Sequence, residues 1–527
     1  MLLSKNNFPL YTRESPTKLF SKNNFSSSFD KYKIVPSFKY EKRSMKNITI
    51  FSSPNNQHFS LKVVTNAPSI IMDDEKEIIS QNANNGIGIV EFFEGKNILV
   101  TGGTGFLAKA LIEKMLRTTP KINKIYILIR AKDKEAAFNR LKSEIIESEL
   151  FKCLEEIHGE YYKPFILNKL IPIVGNIYEP NLGMDIITSQ QIAQQIDLII
   201  DSAANTTFDE RYDLALDANV NGPYQLMMFA KKCKNLKLLM HYSTAYANGE
   251  REGLILEKPF SMGESITKEK INSISPFTNF PSLHVDNEID LISKLKNNIT
   301  NNIGLEQIMK NLGVERVIDP SIFLYGKGEL PAIYCDQDTD VDLIPVDVVV
   351  NATMAAIAKH GYLQSPQLNV YHLATTLVNP VAIHQLFDYC YEYFTLFPFV
   401  NSKGDKIEVK EMKYFDKISD FSNYIWEVLS KQHKVQDLSE KELLKIHMRF
   451  KRKVEFLNNF SKLYEPYGFY RGRFHTGNMR ILMEEMSEEE RKNFEIDASN
   501  INWKDYLTRI HISGVKKHVF EGKKLPI

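Results

Sequence analysis

The chain predicts an α/β fold, a doubly wound parallel sheet followed by a mainly helical C-terminal domain. Three observations carry this. At 97–120, "NILVTGGTGFLAKALIEKMLRTTP" runs from a β-branched stretch through a glycine turn into an amphipathic helix stopped by Pro120. Apolar runs and helical patterns then alternate as far as "LKLLMHYST", and the runs are apolar at nearly every position, as in parallel strands buried on both faces. After "VYHLATTLVNP" the alternation stops and helical spacing takes over.

The first strand and its turn are the most informative element. Gly102 suits the tight turn after the strand, Gly105 lets a backbone approach a pyrophosphate, and Ala108 is small enough for close helix–strand packing. Phosphates would sit on the N–H groups at the helix N-terminus, where the dipole favours negative charge. A glycine motif between a strand and a helix, with another strand beyond, is the pattern of a Rossmann-type dinucleotide site. The expected cofactor contacts are Thr101, Gly102, Thr104, Gly105, Phe106 and Leu107. The second strand, "KIYILIR", ends at Arg130, where an acid would hold a ribose 2′-hydroxyl and an arginine accommodates a 2′-phosphate. Arg130, helped by Lys132, therefore points to NADP(H).

"KLIPIVGNI" reads as the third strand and "IDLIIDSAANTT" as the fourth. The small Ala203 and Ala204 follow its apolar run, where a cofactor crosses the sheet; packing would serve equally as their role. "LDANVNGPYQLMMFAKKC" reads as a helix, and "LKLLMHYST" as the fifth strand.

Composition sets the outer bounds. A length of 527 residues allows two domains and a tail, and 43% hydrophobic with 25% charged residues is ordinary for a globular protein. A net charge of +1 gives nucleic acid no electrostatic footing. Cys153, Cys233, Cys335 and Cys390 lie far apart, without paired or metal-ligand spacing, so neither a disulfide framework nor a metal site is expected. No apolar run reaches the ~18 residues of a membrane span, so any membrane contact would be peripheral.

Residues 1–72 are rich in Ser, Asn, Lys and Phe, and up to Ile71 their only acids are Glu14, Asp30 and Glu41. Serine-rich, basic and acid-poor is the signature of an organellar transit peptide, and equally of a tail without structure. A linker at 73–89 follows.

The segments "VTGGTGFLAK", "LIRAKD", "SAANTTFDERYDLALDANVNGP" and "STAYANG" together resemble the alcohol-forming fatty acyl-CoA reductases, extended short-chain reductases with a distinctive C-terminal domain. The likeness resumes at "LYGKGELPAI" and runs through "LYEPYGFYRGRF" to "INWKDYLTRIHISGVKKHV". With the serine-rich leader, the chain looks most like the plastid-targeted male-sterility branch of plants. The resemblance implies NADPH as hydride donor and a long-chain acyl-CoA or acyl carrier protein thioester as substrate, reduced through an aldehyde to a primary alcohol. It implies a plastid location, with cytoplasm or the endoplasmic reticulum surface as the alternative. It implies that Thr244 matches the family's catalytic Ser/Thr, polarising the carbonyl, and that Asn176 stands where the family has an aspartate beside the adenine. The domains follow: a dinucleotide-binding reductase domain at 90–376, a connecting region at 377–430 and a fatty acyl reductase-type helical domain at 431–527.

The family's tyrosine and lysine, four residues apart on one helix face, are missing. No Tyr-x-x-x-Lys occurs anywhere in the chain; Tyr414 precedes Lys417 by only three. "MKNLGVERVIDPSIFLYGKGEL" joins, near Glu315–Arg316, what resembles the segment before the catalytic helix to a segment well after it. A helix–strand unit on the order of 60 residues is absent, by the size of such a repeat plus a loop. Its loss should expose a sheet edge and uncover apolar side chains. Tyr246 has no lysine spaced to activate it. Two functions remain open: an acyl reductase whose sequence here lacks part of its site, or an inactive nucleotide-binding relative.

In the C-terminal region, Ser439–Glu442 and Ser487–Glu490 have capping-box spacing. Tyr464, Tyr467, Phe469 and Tyr470 with Arg471 and Arg473 read as a ligand platform or as core packing. "RFKRK" reads as a membrane contact, a carrier-protein contact or a solvated helix face.

Overall fold

The computed structural model describes residues 86–517, apart from 207–209, 250, 262, 265–283, 285, 288, 291–293, 295–319, 402 and 433–439. The leader, the join at 315–316 and Ser439 lie outside the described residues.

Helix α1 (Ile89–Phe93) precedes β1 (Asn97–Thr101), which enters α2 (Phe106–Thr118) and then β2 (Lys124–Ile129) and α3 (Lys134–Leu141). Further on come β3 (Leu170–Val174), α4 (Ile186–Gln195), β4 (Leu198–Asp201), α5 (Gly222–Ala230) and β5 (Leu238–His241). These five strands form one parallel sheet in the order β3-β2-β1-β4-β5. All five expected strands are present. The expected helix over 216–233 is helical from Tyr212 to Ala230 but opens into a wider turn at Asp217–Asn221. Pro223, which has no N–H to give to the preceding turn, accounts for the break.

The central β1 and β4 are buried almost throughout, whereas Leu238, Leu239 and Met240 of β5 are half-buried. Among the described residues β5 pairs with β4 alone, so the side away from β4 is an edge.

One face of the sheet packs on α2 and on α6 (Val346–Leu363), whose Met354, Ala355 and Ala358 are fully buried. Gly361 lets α6 close on α1: an added Cβ would lie 2.1 Å from the Phe92 ring. The opposite face packs on α4 and α5 through Ile192, Leu226 and Phe229. Between β5 and α6 the chain forms β6 (Gly253–Ile255) and β7 (Ala332–Tyr334). Beyond α6 lie α7 (Ile383–Leu396), β8 (Lys413–Phe415), α8 (Ile418–Gln432), α9 (Glu440–Gly468), β9 (Gly472–Phe474), α10 (Gly477–Glu485) and α11 (Glu488–Asn493). A second core gathers Phe387, Phe394, Phe421 and Leu457 from α7, α8 and α9.

The C-terminal residues are woven into what precedes them. β9 pairs with β6 and β8 with β7, both parallel. Leu482, Met486 and Phe494 join the same core as α2. The Ser487–Glu490 capping box forms, and Glu490 does more than cap its own helix. Its carboxylate also accepts the N–H groups of Ile87, Gly88 and Ile89 at 2.8–2.9 Å, satisfying donors at the start of α1. Glu490→Ala should therefore cost about 2–4 kcal/mol, several N–H groups losing a charged acceptor at once. Urea unfolding of the two proteins measures this directly; a loss within about 0.5 kcal/mol would mean that water replaces the carboxylate at no cost.

Candidate active site

All five strands are parallel, so their C-terminal ends share one rim, and the sheet order reverses between β1 and β4. A ligand crevice opens at such a switch point. There Gly102 has φ +65°, and a Cβ on it would fall 2.5–2.7 Å from backbone atoms of Ser202 and Ala203 at the end of β4. The turn is thus pressed onto the neighbouring strand with no room for a side chain. Gly105 is the N-cap of α2 in extended conformation, with no side-chain cap. A Cβ there would meet only the Gly102 carbonyl, at 3.1 Å. The first N–H groups of α2 are consequently left for an anion. Thr104 is half-buried and Phe106 is 66% exposed beside this cradle, while Leu107 packs inward.

Thr101 lies beneath the turn and is fully buried. Its hydroxyl donates to Asp201 Oδ1 at 2.5 Å and accepts from the N–H groups of Ser202 and Ala203. The other Asp201 oxygen bonds His241 Nδ1 at 2.7 Å. Parallel register sets Thr101, Asp201 and His241 side by side across β1, β4 and β5. Asp201 is 1% exposed, so a buried carboxylate orients an imidazole whose side chain is 41% exposed. Sequence reasoning missed this pair; its only trace is a polar residue ending each of the runs "LIID" and "LLMH".

Arg130 follows β2 and is exposed, donating from Nη1 to the Tyr178 hydroxyl at 2.6 Å. Its carbonyl accepts from Arg140, which is itself paired with Glu144. Asn176 stands just past β3, its backbone N–H on the Leu182 carbonyl and its amide donating to Glu179 at 2.8 Å. Arg130 and Asn176 thus share the β2–β3 end of the rim. Ala203 and Ala204 follow β4 after Ser202, half-buried and exposed respectively.

At the β5 end, Tyr242 points into the core and shares a 2.8 Å hydrogen bond with Thr353 on α6. Burial pushes its phenol pKa up. Thr244 is exposed and caps the short turn Ala245–Asn248, its oxygen accepting from the Tyr246 N–H at 3.3 Å. That bond uses a lone pair, so the hydroxyl proton remains to donate.

Tyr246 turns away into an aromatic cluster, edge-on to Tyr467, Tyr470 and Phe474 at centroid distances of 4.9, 5.3 and 5.8 Å. Tyr467 and Tyr470 of the C-terminal aromatic group therefore pack directly behind the turn that carries Thr244, while Phe469 lies tilted against Tyr334 instead. Burial raises the pKa of Tyr246, and that of Tyr470 to about 12, so both phenols stay protonated. The Tyr470 hydroxyl is buried without a hydrogen-bond partner. Four residues after these tyrosines stand Glu250 and Phe474, not lysine.

A family profile described as "Male sterility protein" matches residues 100–303, and a second of the same description matches 437–522. The chain is 41% identical over 499 residues to the "Fatty acyl-CoA reductase 2, chloroplastic" of Arabidopsis thaliana, covering 83% of this chain and 80% of that protein. It is 32% identical to the "Alcohol-forming fatty acyl-CoA reductase" of Simmondsia chinensis, over 82% of this chain and 98% of the relative. Among solved structures, the terminal R domain of the myxalamid biosynthetic pathway aligns at 17% identity and a TM-score of 0.48, over 84% of this chain and 98% of that one.

Proposed function

Because the chain belongs to the fatty acyl-CoA reductase family, a group of nicotinamide-dependent oxidoreductases, we propose that it takes NADPH and reduces a long-chain acyl thioester, on CoA or on acyl carrier protein, to a primary alcohol. The observation that carries this reading is the placement of the glycine turn, Arg130 and Thr244 along one rim of one parallel sheet. The uncapped N-terminus of α2 and the bare Gly105 fit a pyrophosphate. Arg130 would pair with the 2′-phosphate, and Asn176 would accept from or donate to the adenine. When bound, the nicotinamide supplies hydride to the acyl carbon, once for the thioester and once for the aldehyde.

Thr244 acts on the oxygen. Each reduction builds negative charge there, and an exposed hydroxyl with its proton available is suited to stabilise it. The Asp201–His241 pair, through Thr101, holds the ends of β1, β4 and β5 in register beneath the crevice. The chain lacks the tyrosine–lysine pair that would supply the final proton, which supports the second reading, a nucleotide-binding relative with little or no turnover. The acid-poor leader and the chloroplastic relative support a plastid location.

The test is hexadecanol formation from palmitoyl-CoA, with NADPH and NADH compared. Arg130→Asp should lower the preference for NADPH by about 10- to 100-fold, the value of one or two charge-assisted hydrogen bonds. NADPH binding without any alcohol above a Thr244→Ala control would leave the inactive reading standing.

A further inference from the structure

Helix α9 presents a face that neither the reductase reading nor the core explains. Between 441 and 453 it carries six basic residues and a single acid, Glu442, in a chain whose net charge is only +1. Phe450, Leu457 and Ser461 are buried, Leu457 in the second core and Phe450 against Trp426, which fixes the orientation of the helix. Helical spacing then places Lys441, Leu444, Lys445, Met448, Arg449 and Arg452 on the outward side. Leu444 is 63% exposed, Met448 43% and Phe456, about two turns further on, 49%. None of Lys441, Lys445, Arg449, Lys451 and Arg452 forms an ion pair among the described residues; only Lys453 does, with Glu329. Beside this face, between α8 and α9, opens a groove of about 700 Å³ lined by Trp426, Leu443, Ile446 and His447.

A merely solvated face would need the charges but not exposed Leu444, Met448 and Phe456 between them. An acidic protein would answer the charges, yet leave the same apolar side chains in water unless it brought a matching apolar surface. We propose that this face of α9 docks flat on an anionic lipid bilayer. Leu444, Met448 and Phe456 would enter the headgroup boundary, and the Lys and Arg stems would lie along the surface with their charges on the phosphates. Trp426, at the groove, has the amphipathic ring that suits that depth. The exposed Glu455 bounds the basic stretch on its C-terminal side. The inference stands apart from turnover, since it concerns where the protein sits and not what it converts.

The probe is co-sedimentation of the full chain with vesicles, of phosphatidylcholine alone or with about one third phosphatidylglycerol, at ~0.1 M salt. Binding is expected only to the anionic vesicles. Lys445→Glu/Arg449→Glu/Arg452→Glu should weaken it by on the order of 100-fold or more, at about fivefold for each charge lost. Leu444→Ser/Met448→Ser, which removes apolar surface and changes no charge, should weaken it by about tenfold or more. Unchanged circular dichroism in both variants shows that the fold survives. No binding to anionic vesicles overturns the proposal, as does binding that the apolar pair does not affect, which would mark the face as a site for an acidic protein.

Discussion

Gly102→Ala is expected to abolish dinucleotide binding and to lower stability by about 2–4 kcal/mol. The left-handed φ of +65° alone disfavours alanine by roughly 1 kcal/mol. The greater part of the loss is steric: the new Cβ would sit 2.5–2.7 Å from Ser202 and Ala203 backbone. That backbone cannot retreat, because the Thr101 hydroxyl holds both N–H groups and is itself tied to the buried Asp201. Gly105→Ala is the instructive partner. Its Cβ would meet only one carbonyl at 3.1 Å, and its backbone is extended, so stability should change by less than about 1 kcal/mol. The methyl would nevertheless stand where a pyrophosphate has to approach. Titration calorimetry with NADPH, beside thermal melts, separates the two: binding lost in both, stability lost only in the first. Unchanged NADPH affinity in Gly105→Ala would mean that this turn is not the cradle.

The glycine turn is legible in the sequence because its signal is local. Strand, turn and helix follow one another within a few residues, and sterics leave few substitutes for Gly102. The strands are legible for the same reason, since burial on both faces writes an apolar run into each. The Thr101–Asp201–His241 line is not, because residues 100 and 40 positions apart meet only through strand register. Strand alternation is also why Thr101 can be placed near a cofactor from its position in the motif, while the fold turns its hydroxyl to Asp201. The aromatic residues at 464–470 left two readings, and spacing could not choose. What brings Tyr467 and Tyr470 behind Thr244 is β9 pairing with β6, a contact between distant parts of the chain. The missing tyrosine and lysine, in contrast, are legible from sequence alone, because i and i+4 spacing on one helix is as local as the glycine turn.

That absence sets the largest expected effect. Inserting at Glu315–Arg316 a helix–strand unit that carries Tyr-x-x-x-Lys should raise alcohol formation by about 10²–10⁴-fold, the range a positioned proton donor supplies. The new strand would also find the open edge of β5, where Leu238, Leu239 and Met240 are now half-buried, so the insertion should stabilise the fold as well. Thr244→Ala made in both backgrounds tells whether the two groups act together. A hydroxyl that stabilises the oxygen while the tyrosine protonates it works as one unit with its partner, and such units lose activity non-additively. With the insertion, Thr244→Ala should cost about 10²–10³-fold; without it, less than about tenfold, because the step proposed for Thr244 would already lack its proton donor. A loss of about 10²-fold in the chain without the insertion would overturn this account. It would require another proton donor beside Thr244, and the first to replace would be Tyr470, whose buried hydroxyl has no hydrogen-bond partner.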